Sequence, residues 1–208
     1  MKISSVRTVL LALLAVGLLL LSACGGSYEF KGGVVNPPQT APDFTLTDQH
    51  GKPFRLSEQQ GKLTLVFFGF TTCPDVCPTT LSDIKAAQRE LGSDADKVQV
   101  VMVTLDPERD TPERLNTYMS RFDPSYLGLT GSPETLEKVY KDYGVTVIKR
   151  DLPESALKYT FDHSTFTYVV DQKGAWPLAF VLGMKPADIA SDLRYLIRNG
   201  GFPAPSSA

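Results

Sequence analysis

The feature that most constrains the fold of this chain is an apolar block that ends in two cysteines. Residues 63–70 are mostly aromatic or branched aliphatic, and a short run of this kind predicts a buried strand. The chain then continues as Thr71-Thr72-Cys73-Pro74-Asp75-Val76-Cys77-Pro78. Prolines are common in the first turn of a helix. We therefore expect Cys73 and Cys77 at a strand-to-helix junction.

That position favours thiolate over thiol, because the first N–H groups of a helix are unpaired and its dipole is positive there. Helical residues four apart have Cβ atoms about 5–6 Å apart, wider than the roughly 3.5–4.5 Å of a disulfide, whereas a metal ion can bridge that gap. Pro78, however, disfavours helical backbone at Cys77. Cys77 can therefore be the N-cap of the helix, with Cys73 in the preceding loop. In that arrangement a disulfide between the two cysteines is also possible.

Length and charge narrow the range of functions. The chain has 208 residues, 42% of them hydrophobic and 21% charged, which fits one globular domain. Its formal net charge is −2, and no basic run forms a face for phosphate groups. We expect no nucleic-acid partner.

The amino terminus has the pattern of an export signal. Lys2 and Arg7 precede an apolar segment at residues 9–21, and Leu21-Ser22-Ala23-Cys24 has small residues at a cleavage position. This pattern resembles a bacterial lipobox, which implies a signal peptide over residues 1–23 and a lipid on Cys24. The domain is then anchored to a membrane of the bacterial cell envelope and faces the periplasm or the exterior. The alternatives are an ordinary signal peptide or an uncleaved anchor, although the apolar run is short of the about 20 residues of a span.

If the domain is exported and Cys24 carries the anchor, only Cys73 and Cys77 remain for chemistry. In an oxidising compartment a thiol pair has to be re-reduced, protected by a metal or held as a disulfide.

The rest of the chain predicts alternating strands and helices. Residues 24–41 are rich in Gly, Pro and Ser and predict a flexible linker. Apolar patterns, turns and caps then predict the remaining elements. The first half holds an amino-terminal hairpin (44–46 and 53–56, with His50 as a solvated tip residue), a helix from Cys77 to Leu91 that ends at Gly92, a strand at 98–105 and a helix at 112–122 capped by Asp110 or Thr111. The second half holds a helix at 133–143 capped by Ser132, a loop at 149–159, a hairpin (165–170 and 176–181), a helix at 186–198 and a tail at 201–208 that is disordered from Phe202. The alternation favours a central sheet covered by helices on both faces.

Asp106 follows the strand at 98–105, at the carboxyl end where ligands of open α/β sheets gather. Cys73 is expected at the same end of a neighbouring strand. Asp106 therefore either forms the turn before Pro107 or supports the ligands of a site without binding a metal itself.

The order of elements resembles a thioredoxin-like fold with the amino-terminal additions seen in peroxiredoxins, spanning residues 42–200. Three motifs together resemble the Sco/SenC family: Cys73-Pro74-Asp75-Val76-Cys77-Pro78, Asp106-Pro107-Glu108-Arg109-Asp110-Thr111-Pro112, and Asp162-His163. The similarity runs from about Pro42 to Asn199. It implies a membrane-anchored copper carrier, rather than an enzyme, that helps to assemble the binuclear copper centre of cytochrome c oxidase.

By that resemblance the copper ligands are Cys73, Cys77 and His163. It also implies that the partners are the copper-receiving subunit of the oxidase and an upstream periplasmic copper donor. Thioredoxins place a cis-proline in the loop before the penultimate strand, and this chain has Asp162-His163-Ser164 there. An imidazole facing two thiolates suits Cu(I) and is compatible with Cu(II).

Other roles for these residues stay open. His163 alternatively packs at the start of a strand, and Asp162 either orients its ring or is solvated. Asp75, like Asp106, is a candidate to support the ligands.

Three other functions compete with the copper carrier. A thiol–disulfide oxidoreductase that reduces the cysteines of the oxidase subunit needs Cys73 and Cys77 but not His163. A peroxidase of the peroxiredoxin type is disfavoured, since Gly69 and Phe70 stand where those enzymes have Thr and Pro. Structural zinc is disfavoured because three ligands leave a tetrahedral site incomplete.

Overall fold

The computed structural model describes residues 28–203. The predicted signal peptide, Cys24 and the last five residues of the predicted tail lie outside this range. The strands are β1 Gly33–Thr40, β2 Thr45–Asp48, β3 Pro53–Arg55, β4 Leu63–Gly69, β5 Val98–Thr104, β6 Leu127–Thr130, β7 Val147–Leu152, β8 Lys158–His163, β9 Thr167–Val170 and β10 Ala175–Phe180. The helices are α1 Val76–Leu91, α2 Pro112–Met119, α3 Pro133–Asp142 and α4 Pro186–Asn199. Between residues 28 and 203 we find no helix with the length and apolarity that a membrane span requires.

Eight strands form one mixed sheet in the order β1-β10-β9-β4-β5-β6-β2-β3. At its centre β4, β5 and β6 run parallel, and the other neighbours are antiparallel. Strands β4 and β5 pair from Leu63 and Val98 to Gly69 and Thr104. The loops that carry Cys73 and Asp106 therefore leave the sheet at the same end, as the sequence predicts.

Helices cover both faces of this sheet. Every residue of β4 is buried, and successive residues of a strand point to opposite faces. Gly69 faces α1, because a Cβ there would lie 3.0 Å from the Cys77 sulfur. Phe68 faces the other way and its ring centroid is 6.1 Å from that of Tyr140 in α3. The predicted thioredoxin-like α/β class, with a central sheet, flanking helices and the β2–β3 hairpin, is confirmed.

The helix boundaries largely follow the sequence signals. α1 buries Leu81, Ile84 and Leu91 and ends at Gly92, which has a φ of 61°. Thr111 caps α2, because its hydroxyl accepts a hydrogen bond from the Arg114 N–H, and Ser132 caps α3 in the same way. α2 ends at Met119 rather than near Phe122, since hydrogen-bonded turns take over after Met119.

The prediction of a flexible linker is wrong for residues 33–40, which form β1 and pair with β10 from Gly33 and Ala179 to Thr40 and Ala175. The ladder is irregular around Pro37 and Pro38. Proline lacks the N–H that a central strand needs, but an edge strand tolerates it. A composition rich in proline therefore did not exclude a strand at this edge.

The residues before β1 are anchored to α4 through Asp192, which is fully buried. Its carboxylate accepts hydrogen bonds from the N–H groups of Lys31 at 3.0 Å and Gly32 at 2.8 Å, and from the Tyr28 hydroxyl at 2.7 Å. The ordered domain thus begins well before Pro42.

Two further predictions are wrong. Residues 149–159 are not a loop, because β7 and β8 pair there as a separate hairpin, from Val147 and His163 to Leu152 and Lys158. The charged side chains of these strands hid them from an apolar pattern. The tail is ordered at its start, since the Phe202 ring stacks on Phe30 at 5.0 Å between centroids and the Phe202 N–H donates to Asp171.

Gly69 leaves no space for a side chain. A Cβ there would lie 2.7 Å from Cε1 of Phe67 as well as 3.0 Å from the Cys77 sulfur. We expect Gly69→Ala to lower the free energy of unfolding by about 1–3 kcal/mol, because overpacking displaces buried groups. Denaturant titration measures this. Gly33→Ala is the control, since a Cβ there meets only Ala179 O at 3.5 Å. Equal stability of both variants would contradict the expectation.

Candidate metal and thiol site

The two cysteines lie where β4 meets α1. Cys73 is half-buried in the turn after β4, where its N–H donates to Phe70 O at 3.2 Å. Cys77 is fully buried and its N–H donates to the Cys73 sulfur at 3.4 Å. The N-cap of α1 is Asp75, not Cys77, and the exposed Asp75 side chain makes no capping hydrogen bond. Both thiols are free.

The environments of the two sulfurs separate their pKa values. The hydrogen bond from the Cys77 side chain is the main reason that the pKa of Cys73 is lowered to about 6; burial opposes it, and the N–H groups of Asp75 and Cys77 and the charge of His163 add to it. The same hydrogen bond and burial raise the pKa of Cys77. At neutral pH the site therefore holds one thiolate, on Cys73, and one thiol.

Alkylation by iodoacetamide tests this assignment. A depressed pKa means that the Cys73 thiolate persists above about pH 6 and is lost only as the pH falls through that value. We expect a half-maximal rate of modification near pH 6, rather than near the about 8.5 of an ordinary cysteine, with Cys73 identified by mass spectrometry. Cys77→Ala removes the principal donor and should move the midpoint upward. A wild-type midpoint near 8.5 would contradict the assignment.

Asp110 holds the loop that leads to Cys73. It is 1% exposed and accepts hydrogen bonds from the Thr71 N–H at 3.1 Å, the Thr71 hydroxyl at 2.5 Å and the Thr104 hydroxyl at 2.6 Å. Burial raises the pKa of its carboxyl group. Sequence reasoning considered Asp110 only as a helix cap. The one available signal was that a second aspartate follows Asp106 in the same motif.

Asp106 contacts the β7–β8 hairpin rather than the sulfurs. It is 1% exposed, pairs with Arg109 and accepts a hydrogen bond from the Tyr159 hydroxyl at 2.9 Å. Arg109 Nη1 donates to the carbonyls of Leu157 at 2.9 Å and Tyr159 at 3.2 Å. The guanidinium carbon of Arg109 also lies 3.7 Å from the centroid of the Tyr159 ring. The Asp106–Arg109 pair therefore docks the hairpin onto the carboxyl end of β5.

His163 is the last residue of β8 and shares a face of that strand with Tyr159 and Phe161. The Phe70 ring lies 5.4 Å from Phe161 and 6.1 Å from His163, between centroids. Nδ1 of His163 is 2.7 Å from Ser164 O. A carbonyl can only accept, so Nδ1 is the donor in this contact and Nε2 is the ring nitrogen that remains available to a metal. A bond of this kind on one ring nitrogen orients the other toward a metal.

Asp162 does not make that bond. Its carboxylate pairs with Arg150 across the hairpin, and both side chains are about half exposed or more. Of the aspartates considered from the sequence, Asp106 positions the hairpin, while Asp75 and Asp162 face solvent.

The structure brings together the two sulfurs and places His163 beside Phe70, at the end of β8. Over residues 28–203 no three side chains of His, Cys, Asp or Glu are arranged to hold a metal ion. The predicted Cys73, Cys77 and His163 set therefore stays a prediction that requires His163 to approach the sulfurs. The donor types fit a soft metal ion, because two sulfurs and one imidazole are ligands that copper accepts.

Comparison with known proteins gives consistent matches. The SCO1/SenC family model matches residues 34–198. The SCO2-like protein of Rickettsia felis is 36% identical over 152 residues, which is 73% of this chain and 74% of that protein. Among solved structures, copper-bound ScoI of Bradyrhizobium japonicum is 42% identical with a TM-score of 0.69, covering 75% of this chain and 98% of its own. Apo Sco1 of Thermus thermophilus is 39% identical with a TM-score of 0.73, covering 83% and 99%.

Proposed function

Because the chain belongs to the SCO1/SenC family, we propose that it binds copper as cargo and delivers it to the binuclear copper centre of cytochrome c oxidase. The Sco family is one of cytochrome c oxidase assembly proteins, and a relative with 42% identity holds copper. The observation that carries the proposal is the pair of adjacent sulfurs, one of them a thiolate, with an imidazole on the hairpin that packs against Phe70. Copper accepts both kinds of ligand.

In this proposal Cys73 and Cys77 bind copper as thiolates and Nε2 of His163 completes the site, for Cu(I) and Cu(II). Cys77 gives up its proton when the metal binds, as thiol ligands do. His163 lies on a hairpin that is separate from the main sheet, so it is the ligand best able to approach and to leave. Release of His163 first would open a position for a ligand of the receiving protein.

The proposed cellular setting is supported by the lipobox-like pattern before Cys24. A lipid on Cys24 would hold the domain at a membrane of the bacterial envelope, on its periplasmic or outer side. There it would take copper from an upstream donor and pass it to the copper-receiving subunit of the oxidase.

His163→Ala tests the three-ligand site. Changing residues that merely orient a ligand costs about 10–100-fold in metal affinity, so we expect loss of the imidazole itself to cost at least about 100-fold. The measurement is anaerobic loading with Cu(I) and Cu(II), followed by competition with a chelator and by absorption and electron paramagnetic resonance spectra. His50→Ala is the matched control, because His50 is the only other histidine of the chain and is exposed at the first hairpin. Unchanged copper affinity in His163→Ala would overturn the proposed ligand set.

A second function has its own support: thiol–disulfide exchange with the cysteines of the oxidase subunit. The half-buried Cys73 with a pKa of about 6 is a suitable attacking thiolate. It would form a mixed disulfide with the substrate and release one substrate thiolate. Cys77 would then lose its proton, attack the Cys73 sulfur and release the second, leaving the substrate reduced and Cys73–Cys77 oxidised. This exchange should survive in His163→Ala, whereas copper delivery should not.

A further inference from the structure

We propose that a cationic cleft beside Cys73 binds an acidic side chain of the protein that exchanges copper with this chain. The inference rests on the proposed copper function. The cleft has a volume of about 480 Å³ and lies between the loop before Cys73, the start of α2 and the turn of the β7–β8 hairpin. The polar and charged side chains that line it are those of Thr72, Glu108, Arg109, Arg114, Lys158 and Tyr159.

Two cations in the wall of this cleft are not neutralised. Arg114 Nε donates to the Thr71 hydroxyl at 2.9 Å and Lys158 Nζ to Pro153 O at 3.4 Å, and both acceptors are uncharged. Among the side chains that the structure describes, neither cation forms an ion pair. The carboxylate of Glu108 lies 3.6 Å from Lys149, and Arg109 is paired with Asp106. The cleft therefore carries an excess of positive charge.

Two polar atoms of the cleft residues also lack partners. Arg109 Nη2 and Thr72 Oγ1 are buried, and no group within residues 28–203 forms a hydrogen bond with either. Buried polar groups are normally paired. A carboxylate offers about four acceptor positions and matches the donor fork of an arginine such as Arg114. The chemistry of the cleft thus fits a carboxylate.

The location indicates that this carboxylate belongs to a protein. Thr72 lines the cleft and is the chain neighbour of Cys73, so a partner that offers ligands to the Cys73 sulfur comes close to the cleft. The chain as a whole has a formal net charge of −2, which disfavours acidic partners elsewhere on its surface. A local cationic site instead attracts them and fixes their orientation. The cleft would then align the partner's metal ligands with Cys73.

The test uses the double variant Arg114→Gln/Lys158→Gln. The control is Arg55→Gln/Lys97→Gln, which removes the same charges from two exposed ion pairs elsewhere. The probe is a hexaglutamate peptide, titrated into the reduced apo protein and followed by amide chemical shifts. We expect chemical-shift changes at Thr72 and Arg114. Affinity for the peptide should be about tenfold lower in the double variant, because exposed ion pairs are individually weak, and unchanged in the control. Equal affinities in all three proteins, or shifts confined to other residues, would overturn the proposal.

Two further measurements isolate the source of the carboxylate and the dependence on copper. Inorganic sulfate titrated in the same way should bind much more weakly than hexaglutamate, and equal binding would indicate a site for a free anion instead of a protein. Cu(I) affinity of the double variant should equal that of the wild type. A wild-type chain that retains no copper contradicts the proposed function, whereas one that retains copper but ignores the peptide contradicts the cleft alone.

Discussion

Replacing Cys73 by serine is expected to abolish copper retention. Cys73 carries the thiolate of the pair, with a pKa of about 6, and a serine hydroxyl neither ionises at neutral pH nor offers a soft ligand. The remaining Cys77 is fully buried and its pKa is raised. We therefore expect the Cu(I) affinity to fall by more than about 100-fold. This exceeds the loss of about 10–100-fold that follows when a residue that only orients a ligand is changed.

The measurement is anaerobic competition with a Cu(I) chelator, with a thermal melt to show that the variant is folded. Cys73 is the better position than Cys77, because a hydroxyl at Cys77 would be buried. Thr79→Ala, at an exposed position of the first turns of α1, should keep copper. A folded Cys73→Ser variant that holds copper as tightly as the wild type would exclude the site. Thiol–disulfide exchange should also be lost in this variant, so only His163→Ala separates the two functions.

Arg109→Met should give the largest loss of stability among variants that keep all three proposed ligands. It removes the partner of the buried Asp106 carboxylate, and leaving one charge of a buried pair uncompensated costs about 3–5 kcal/mol. Because Arg109 is 19% exposed, we expect the lower end, about 3 kcal/mol. The same change removes two hydrogen bonds to the hairpin backbone and the contact with the Tyr159 ring. The hairpin that carries His163 should then detach.

Two readouts distinguish this effect from a general loss of structure. Denaturant titration gives the stability, and hydrogen exchange should show lost protection in β7 and β8 before the main sheet. Copper affinity should fall as well, although every ligand remains. Arg150→Met is the matched control, because Arg150 lies on the same hairpin and pairs with the exposed Asp162. Such surface pairs contribute about 0–1 kcal/mol. If both variants lose the same stability, Arg109 does not dock the hairpin.

Local signals were sufficient for the elements that surround the cysteines. The apolar run at 63–70 predicted a strand buried on both faces, and β4 is fully buried. The caps at Thr111 and Ser132 were readable because capping depends on a few consecutive residues. The same holds for Gly92 at the end of α1, whose positive φ suits glycine.

The predictions that were wrong concern residues whose structure depends on contacts with distant parts of the chain. Pro37 and Pro38 predict no strand, and β1 forms only because β10 offers an edge. The hairpin β7–β8 carries many charged side chains, and Arg109, about fifty positions earlier in the chain, docks it onto the main sheet. Asp110 binds Thr71, 39 residues away. The distance of His163 from the sulfurs depends on the docking of the hairpin and on the loop before Cys73, so no local sequence pattern predicts it.

The buried Asp192 carboxylate fixes the chain at residues 28–32, and this would set how far a lipid-anchored domain stands from a bilayer. With the proposed lipid on Cys24, only three residues separate the acylated residue from Tyr28. A fully extended chain advances at most about 3.6 Å per residue, so the segment from Cys24 to Tyr28 can span at most about 15 Å. The domain would therefore lie close to the lipid headgroups. A protein that receives copper from it would have to present its copper ligands at the same distance from the membrane.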